Sequence, residues 1–304
     1  DRLGRRRGTI REEARVKPLP HTSAAGFHFP CLNEAVRACA RGYAVTPILS
    51  KMIELDGRDV RYYTAGSGEP LVVIHGGGGD ARTWLTTIRE LARTYTVYAP
   101  DLPGYGGSQA LDGRYFIPEL ATFLDAFTRK LGLDSFHLIG HSLGGGIALK
   151  FALEFPKRIK KLVLVSSLCL GKEIAFWVRL LSIPAILRCA GSVILAAFKG
   201  LKWVLERLNP VEYVPPMSPG SVYVGGAISN IRQQSLVLKE RLAEVLVPTL
   251  LVWGEKDPIV PVKHAYQAAA VMPQAQVRVF SRTGHDVHRD ELDGFSSAVS
   301  RFLG

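Results

Sequence analysis

The chain has 304 residues, of which 47% are hydrophobic and 21% charged, and its formal net charge is +11. This size and balance fit one large domain with an insertion, or two small ones, and exclude a disordered or fibrous chain. Residues 1–51 hold ten Lys/Arg against four acids, so +6 of the charge lies there and +5 is spread over the rest; no recognition motif accompanies it, and nucleic-acid binding is not expected.

Residues 1–26 carry charge and proline but little apolar periodicity, and read as a tail. Residues 33–42 read as a short helix, with Asn33 as N-cap and Gly42 as C-cap. Leu32, Val36, Cys39, Ala40 and Tyr43 fall along one face of it. Residues 27–49 are too apolar for a solvated tail. They are expected to dock on the domain that follows or its cap, or on a second subunit, which would make a homodimer.

From Met52 onward, strand and helix signals alternate. Residues 52–55 and 60–63 flank Asp56-Gly57, a hairpin signal. Residues 71–74, 96–100, 136–139, 162–165, 249–253 and 276–280 are short apolar runs separated by helical stretches. That pattern predicts an α/β domain with a mostly parallel central sheet, flanked by helices and buried on both faces. The alternation breaks between Cys169 and Glu244, where the pattern is helical throughout. The expected organisation is a basic N-terminal extension (1–51), a main domain (52–168 and 245–304) and an inserted helical cap (169–244).

Cys31, Cys39, Cys169 and Cys189 include no CxxC pair, so no metal site is expected, and their low density suits free thiols in a reducing compartment. No apolar leader follows the Arg-rich start. The most apolar stretch of the cap, 183–198, is interrupted by Pro184, Arg188 and Gly191 and is too short to span a bilayer. A cytoplasmic protein without an integral membrane segment is the resulting expectation.

Gly140-His141-Ser142-Leu143-Gly144 follows the run 136–139 and precedes a helical stretch. This is G-x-S-x-G in a strand–turn–helix context, where a serine stands on a tight turn and glycines on either side leave it room. Ser142 is the candidate nucleophile, and a serine hydroxyl needs a base. His285, in Thr283-Gly284-His285 after the last strand, is the candidate; His288 is the rival but lacks the preceding Gly turn. His141 adjoins the nucleophile and is expected to point away from it. His75 is expected to support the neighbouring glycine loop by hydrogen bonding.

The acid that orients the base should follow the penultimate strand, and Asp257 does so in Trp253-Gly254-Glu255-Lys256-Asp257-Pro258. Glu255 is the competing carboxylate, and the plainer role for Asp257 is to form its own turn. An oxyanion hole needs two convergent N–H donors. Leu143, just after the nucleophile, is one candidate; Gly77, then Gly78, in His75-Gly76-Gly77-Gly78-Gly79 supplies the other. No Lys-Ser/Thr follows these glycines, which removes a P-loop reading, and nothing calls for a cofactor.

From about residue 52 to 304 the chain resembles the α/β-hydrolase superfamily. The likeness rests on His75-Gly76, Asp101-Leu102-Pro103-Gly104-Tyr105-Gly106-Gly107-Ser108, the Ser142 elbow, Trp253-Gly254-Glu255-Lys256-Asp257 and Gly284-His285. The pattern is most similar to capped microbial carboxylesterases and lipases and to C–C-bond hydrolases of meta-cleavage pathways. The resemblance implies an α/β-hydrolase fold and a serine carboxylesterase or lipase that hydrolyses lipophilic small-molecule esters through an acyl-enzyme. A C–C-bond hydrolase with the same triad is the alternative. A ligand-binding receptor or scaffold on a hydrolase fold is a third, against which an intact triad argues. Dehalogenases and soluble epoxide hydrolases of this fold need Asp where Ser142 stands. Meta-cleavage hydrolases usually follow the catalytic Gly-His with Trp, whereas Asp286 follows His285 here. The cap is rich in large apolar residues, and Trp177, Leu181 and Ile186 are its candidates for lining a substrate pocket.

Overall fold

A computed structural model of the chain describes residues 46–111, 116–171 and 238–304. The strands are β1 (Leu49–Leu55), β2 (Arg58–Ala65), β3 (Glu69–Ile74), β4 (Tyr95–Pro100), β5 (Phe136–His141), β6 (Ile159–Val165), β7 (Thr249–Gly254) and β8 (Ala275–Phe280). The described α-helices are α1 (Leu85–Leu91), α2 (Ile117–Lys130), α3 (Leu143–Glu154), α4 (Lys263–Ala269), α5 (Val287–Asp290) and α6 (Leu292–Leu303).

All eight strands form one sheet in the order β1-β2-β4-β3-β5-β6-β7-β8. The β1–β2 and β2–β4 pairs are antiparallel; the remaining pairs are parallel. Asp56 and Gly57 turn β1 into β2 with φ of 50° and 79°. Positive φ at both central residues is what a two-residue hairpin with the sheet's own twist requires.

The apolar runs divide residue by residue between two cores. In β3, Leu71 and Val73 join one cluster while Val72 and Ile74 join the other; Val163/Val165 against Leu162/Leu164 in β6 and Leu250/Val252 against Leu251/Trp253 in β7 repeat this split. Successive strand side chains point to opposite faces, so a strand covered on both sides must be apolar at every position. α1 and α6 close one face with Ile88, Leu91, Phe295 and Val299, whereas α2 and α3 close the other with Leu124, Phe127, Ile147 and Phe151.

All eight strands extend beyond their apolar signals, and the extensions of β5 and β1 bear on the site and the sheet edge. β5 runs on through Gly140 and His141, which pair with Leu164 and Val165. β1 begins at Leu49, paired with Thr64, so residues 49–51 lie in the sheet. As an edge strand it is largely exposed, and its polar residues carry no burial signal. The helix expected at 33–42, and Trp177, Leu181 and Ile186 of the expected cap, lie outside the described residues. Cys169 is buried. Among the described residues, no helix is long and apolar enough to cross a membrane.

Candidate active site

Ser142 is the single residue between β5 and α3, at φ 52° and ψ −112°. A non-glycine residue held there stores roughly 1–3 kcal/mol of strain, and persists only where its surroundings over-determine it. Here they do. The Ser142 N–H donates to the Val165 carbonyl at 2.9 Å, and its own carbonyl accepts from the N–H groups of Leu168, Gly145 and Gly146 at 3.0, 3.1 and 3.2 Å. A Cβ on Gly140 would stand 2.2 Å from the Gly144 carbonyl oxygen, and one on Gly144 would stand 2.5 Å from that of Ile74. Backbone packs directly on backbone at both sites, which is why G-x-S-x-G has glycine at those two positions.

The loops after β7 and β8 meet beside this elbow. The Lys256 N–H donates to the Thr283 carbonyl at 3.0 Å, and a Cβ on Gly254 would stand 2.0 Å from the Gly284 carbonyl oxygen. This contact brings Asp257 to His285, whose Nδ1 donates to Oδ2 at 2.9 Å and lies 3.1 Å from Oδ1. Oδ1 also accepts from the N–H groups of Ile259 at 2.8 Å and Val260 at 2.9 Å. Asp257 thus forms its own turn and faces the imidazole at once. Its side chain is fully buried. Burial pushes its pKa upward, but the bond from His285, the imidazole's charge and the two backbone donors outweigh this, and the net shift is downward. An ionised carboxylate offers no hydrogen, so Nδ1 of His285 carries the proton and Nε2 presents a lone pair. Glu255 is exposed. His288 is buried and stacks on Trp84, with ring centroids 4.0 Å apart and planes at 19°. Neither of its nitrogens has a hydrogen-bond partner in normal geometry among the described residues.

The glycine loop after β3 closes the third side. His75 is buried; Nδ1 donates to the Gly76 carbonyl at 2.8 Å, and Nε2 accepts from the Leu102 N–H at 2.9 Å. Burial holds its pKa below the ordinary value and keeps it neutral, as a ring that both donates and accepts must be. A Cβ on Gly76 would stand 2.8 Å from His141 Nδ1 and 3.3 Å from Ser142 Cβ, so the loop lies against the elbow. Gly77 is half-buried, Gly78 exposed, and Leu143 buried at the start of α3.

Two residues matter more here than the sequence suggested. Asp101, fully buried, accepts from the Ala81 N–H at 2.9 Å, the Gly107 N–H at 2.8 Å and Arg61 Nε at 2.7 Å. It anchors the far end of the glycine loop. Its signal was the Gly-rich run from Asp101 to Ser108, whose glycines wrap the carboxylate. His141 is the other. Its Nε2 donates to the main-chain carbonyl of His285 at 3.0 Å, and its ring lies 4.8 Å from those of His285 and His288. Burial, and then the neighbouring His285, lower its pKa to about 4. Asp286 Oδ1 is 3.6 Å from the same Nε2. Among the described residues, His141, Asp286 and His288 offer metal-ligand atoms all within 4.8 Å of one another. The Nε2 hydrogen of His141 is already committed to the His285 carbonyl, so a metal there would compete with that bond.

A family model described as alpha/beta hydrolase fold matches residues 69–182 and 200–292. A 2-hydroxy-6-oxo-6-phenylhexa-2,4-dienoate hydrolase of Burkholderia cepacia is 31% identical, over 79% of this chain and 89% of its own. The structure of a hydrolase of that same name from Rhodococcus superposes with a TM-score of 0.66 at 21% identity, covering 85% of this chain and 99% of that one. An esterase from Exiguobacterium antarcticum superposes with a TM-score of 0.63 at 22% identity, covering 84% and 99%. At those identities the two structures speak to the fold alone.

Proposed function

Because the chain belongs to the alpha/beta hydrolase fold family, we propose that it is a serine hydrolase acting on lipophilic small-molecule carboxylic esters, with Ser142 as nucleophile, His285 as base and Asp257 as orienting acid. The observation that carries this reading is the Nδ1–Oδ2 contact of 2.9 Å, which leaves Nε2 of His285 as the acceptor. Ser142 Oγ gives its proton to that nitrogen as it attacks the ester carbonyl carbon. The carbonyl oxygen becomes an oxyanion, received by the Leu143 N–H and by Gly77, with Gly78 second because it is exposed. The C–O bond then breaks, the alcohol leaves with the proton from His285, and the acyl group stays on Ser142. Water, deprotonated by His285, releases the acid and restores the serine.

A second reading, C–C-bond cleavage of a meta-cleavage product, is favoured by the activity for which the Burkholderia relative is named. Asp286, where such enzymes usually carry Trp, weighs against it. The test is turnover of p-nitrophenyl esters of increasing chain length beside a 2-hydroxy-6-oxo-dienoate. Ester turnover well above dienoate turnover is expected. The reverse order would transfer the assignment to C–C hydrolysis, and turnover of neither would sink the enzyme reading.

A further inference from the structure

We infer that His141 is a positioning residue for the base: its Nε2–H holds the main-chain carbonyl of His285 and so ties the base's loop to the nucleophile's own turn. The inference rests on the proposed roles of Ser142 and His285. Its basis is that one residue joins all three parts of the site, one through its backbone and two through its side chain. His141 is bonded covalently to Ser142. Its Nε2 reaches the His285 carbonyl at 3.0 Å across 144 residues of sequence. Its Nδ1 stands 2.8 Å from where a Cβ on Gly76 would lie, against the glycine loop.

A carbonyl only accepts, so Nε2 must carry the hydrogen and the ring must be the Nε2–H tautomer. The ring has little room to turn away. It is 5% exposed, and His288 packs against it with a centroid distance of 4.8 Å. His288 is in turn stacked on Trp84 and lies edge-on to Phe295 at 6.3 Å. The aromatic column Trp84–His288–His141 therefore backs the base loop. The charged and titratable groups near His141 are His285, Asp257 and Asp286, with His288 behind it. A neutral His141 suits this place, because a second cation would oppose the imidazolium that His285 must become during turnover.

An apolar side chain of similar bulk would fill the space but release the carbonyl, whereas glutamine offers a neutral N–H donor at comparable reach. A base displaced by about 1 Å loses on the order of 10²-fold in rate. The experiment compares His141→Leu and His141→Gln with the wild type, measuring kcat and KM on a p-nitrophenyl ester alongside melting temperature. Expected are a fall in kcat on the order of 10²-fold for His141→Leu with KM nearly unchanged, and recovery of most of that loss in His141→Gln. Equal losses in both variants, or a loss carried by KM, would overturn the inference. Should His141→Leu fail to fold, the ring ¹⁵N shifts of His141 in the wild-type protein still decide it. An Nε2–H tautomer at neutral pH is expected, and an Nδ1–H tautomer would refute the bond. His285→Ala is the separate control: if it keeps full activity, the function assignment fails, whatever His141 does.

Discussion

Asp257 divides its carboxylate between His285 and its own loop. Oδ2 faces Nδ1 of the imidazole at 2.9 Å, while Oδ1 accepts the Ile259 and Val260 N–H groups. Asparagine can keep the second duty with its remaining oxygen but would turn an NH₂ toward Nδ1. The imidazole would then favour the wrong tautomer, with its lone pair facing the amide and its hydrogen facing Ser142. Asp257→Asn is expected to fold normally and to lose about 10⁴-fold in kcat. Glu255→Gln, at an exposed position, should leave kcat within a factor of two or so. Steady-state kinetics of the two variants checks this, and a larger loss in Glu255→Gln would move the role.

Ser142 combines chemistry with backbone strain, and substitutions can separate them. Ser142→Ala should cost on the order of 10⁶ in kcat while keeping the strained φ of 52°. Ser142→Gly should be equally inactive but relieve part of the strain, since glycine adopts positive φ without penalty. A gain of about 1 kcal/mol would raise the melting temperature by roughly 2–4 °C in a domain of this size. Because glycine costs about 0.5–1 kcal/mol of chain entropy relative to alanine, a Ser142→Gly protein that melts below Ser142→Ala by that amount would mean that the elbow stores no strain. A serine-directed organophosphate, followed by peptide mapping, should label Ser142 and no other serine.

The glycines of the elbow can be tested against a glycine that has space. Gly144→Ala would put Cβ 2.5 Å from the Ile74 carbonyl oxygen, forcing α3 away from β3. Gly132 has φ of +71° with nothing within 4 Å of where a Cβ would stand, so alanine there costs only its conformation, about 1 kcal/mol. Gly144→Ala should therefore abolish activity and lower stability well beyond Gly132→Ala, which should stay active. Denaturant midpoints and ester turnover of the pair provide the measurement.

Much of this site was legible because its parts are local. The elbow is five consecutive residues, and Asp257 and His285 each follow an apolar strand at short range. β3, β6 and β7 announced themselves because strands buried on both faces must be apolar at every position. The end of β5 did not, because His141 joins the ladder through its backbone and needs no apolar side chain. The start of β1 was hidden by its exposed edge. The bond from His141 to the His285 carbonyl depends on how two distant loops pack, and no pattern within either segment encodes it. Likewise, Asp101 was visible as part of a Gly-rich run, but its three donors come from three separate elements.

Acid should destabilise the protein through its buried histidines. His75, His141 and His288 all have pKa values held below the ordinary 6.5, chiefly by burial, with His141 at about 4. Above 6.5 neither the folded nor the unfolded chain protonates them, and stability is unaffected. Below 6.5 the unfolded chain takes up protons that the folded one refuses, so stability falls with pH, by about 1.4 kcal/mol per pH unit for each such histidine. For His141 the effect should end near pH 4, where the folded form also protonates. Asp257, whose pKa is lowered, contributes stability above the ordinary 3.8 that is lost only as pH drops below it. Denaturant titrations at pH 7, 6, 5 and 4 should show the decline beginning near 6.5, and His141→Gln should make it shallower. A stability curve flat between pH 7 and 4.5 would contradict the buried, neutral state of these rings.

Asp101 should couple stability to catalysis through the glycine loop. Its carboxylate is fully buried while its partner Arg61 is 23% exposed, and a Cβ on Gly106 would stand 2.1 Å from Oδ2. Asp101→Ala would orphan the Ala81 and Gly107 N–H groups and the Arg61 guanidinium. Removing one partner of a buried pair costs roughly 3–5 kcal/mol. Arg61→Gln leaves both backbone bonds to Asp101 in place but strips the fully buried carboxylate of its cation, so its cost should be of the same order. The loop's other end is held by His75, whose Nε2 takes the Leu102 N–H immediately beyond Asp101. Loosening Asp101 should therefore let the glycine loop, which lies against the elbow at Gly76, shift from Ser142 and weaken the oxyanion stabilisation proposed for Gly77, where one lost donor costs on the order of 10²-fold in kcat. Asp101→Ala is expected to lower both melting temperature and kcat, and Arg61→Gln mainly the former. An Asp101→Ala protein that melts early yet keeps full kcat below its transition would show that the loop holds its shape without this anchor.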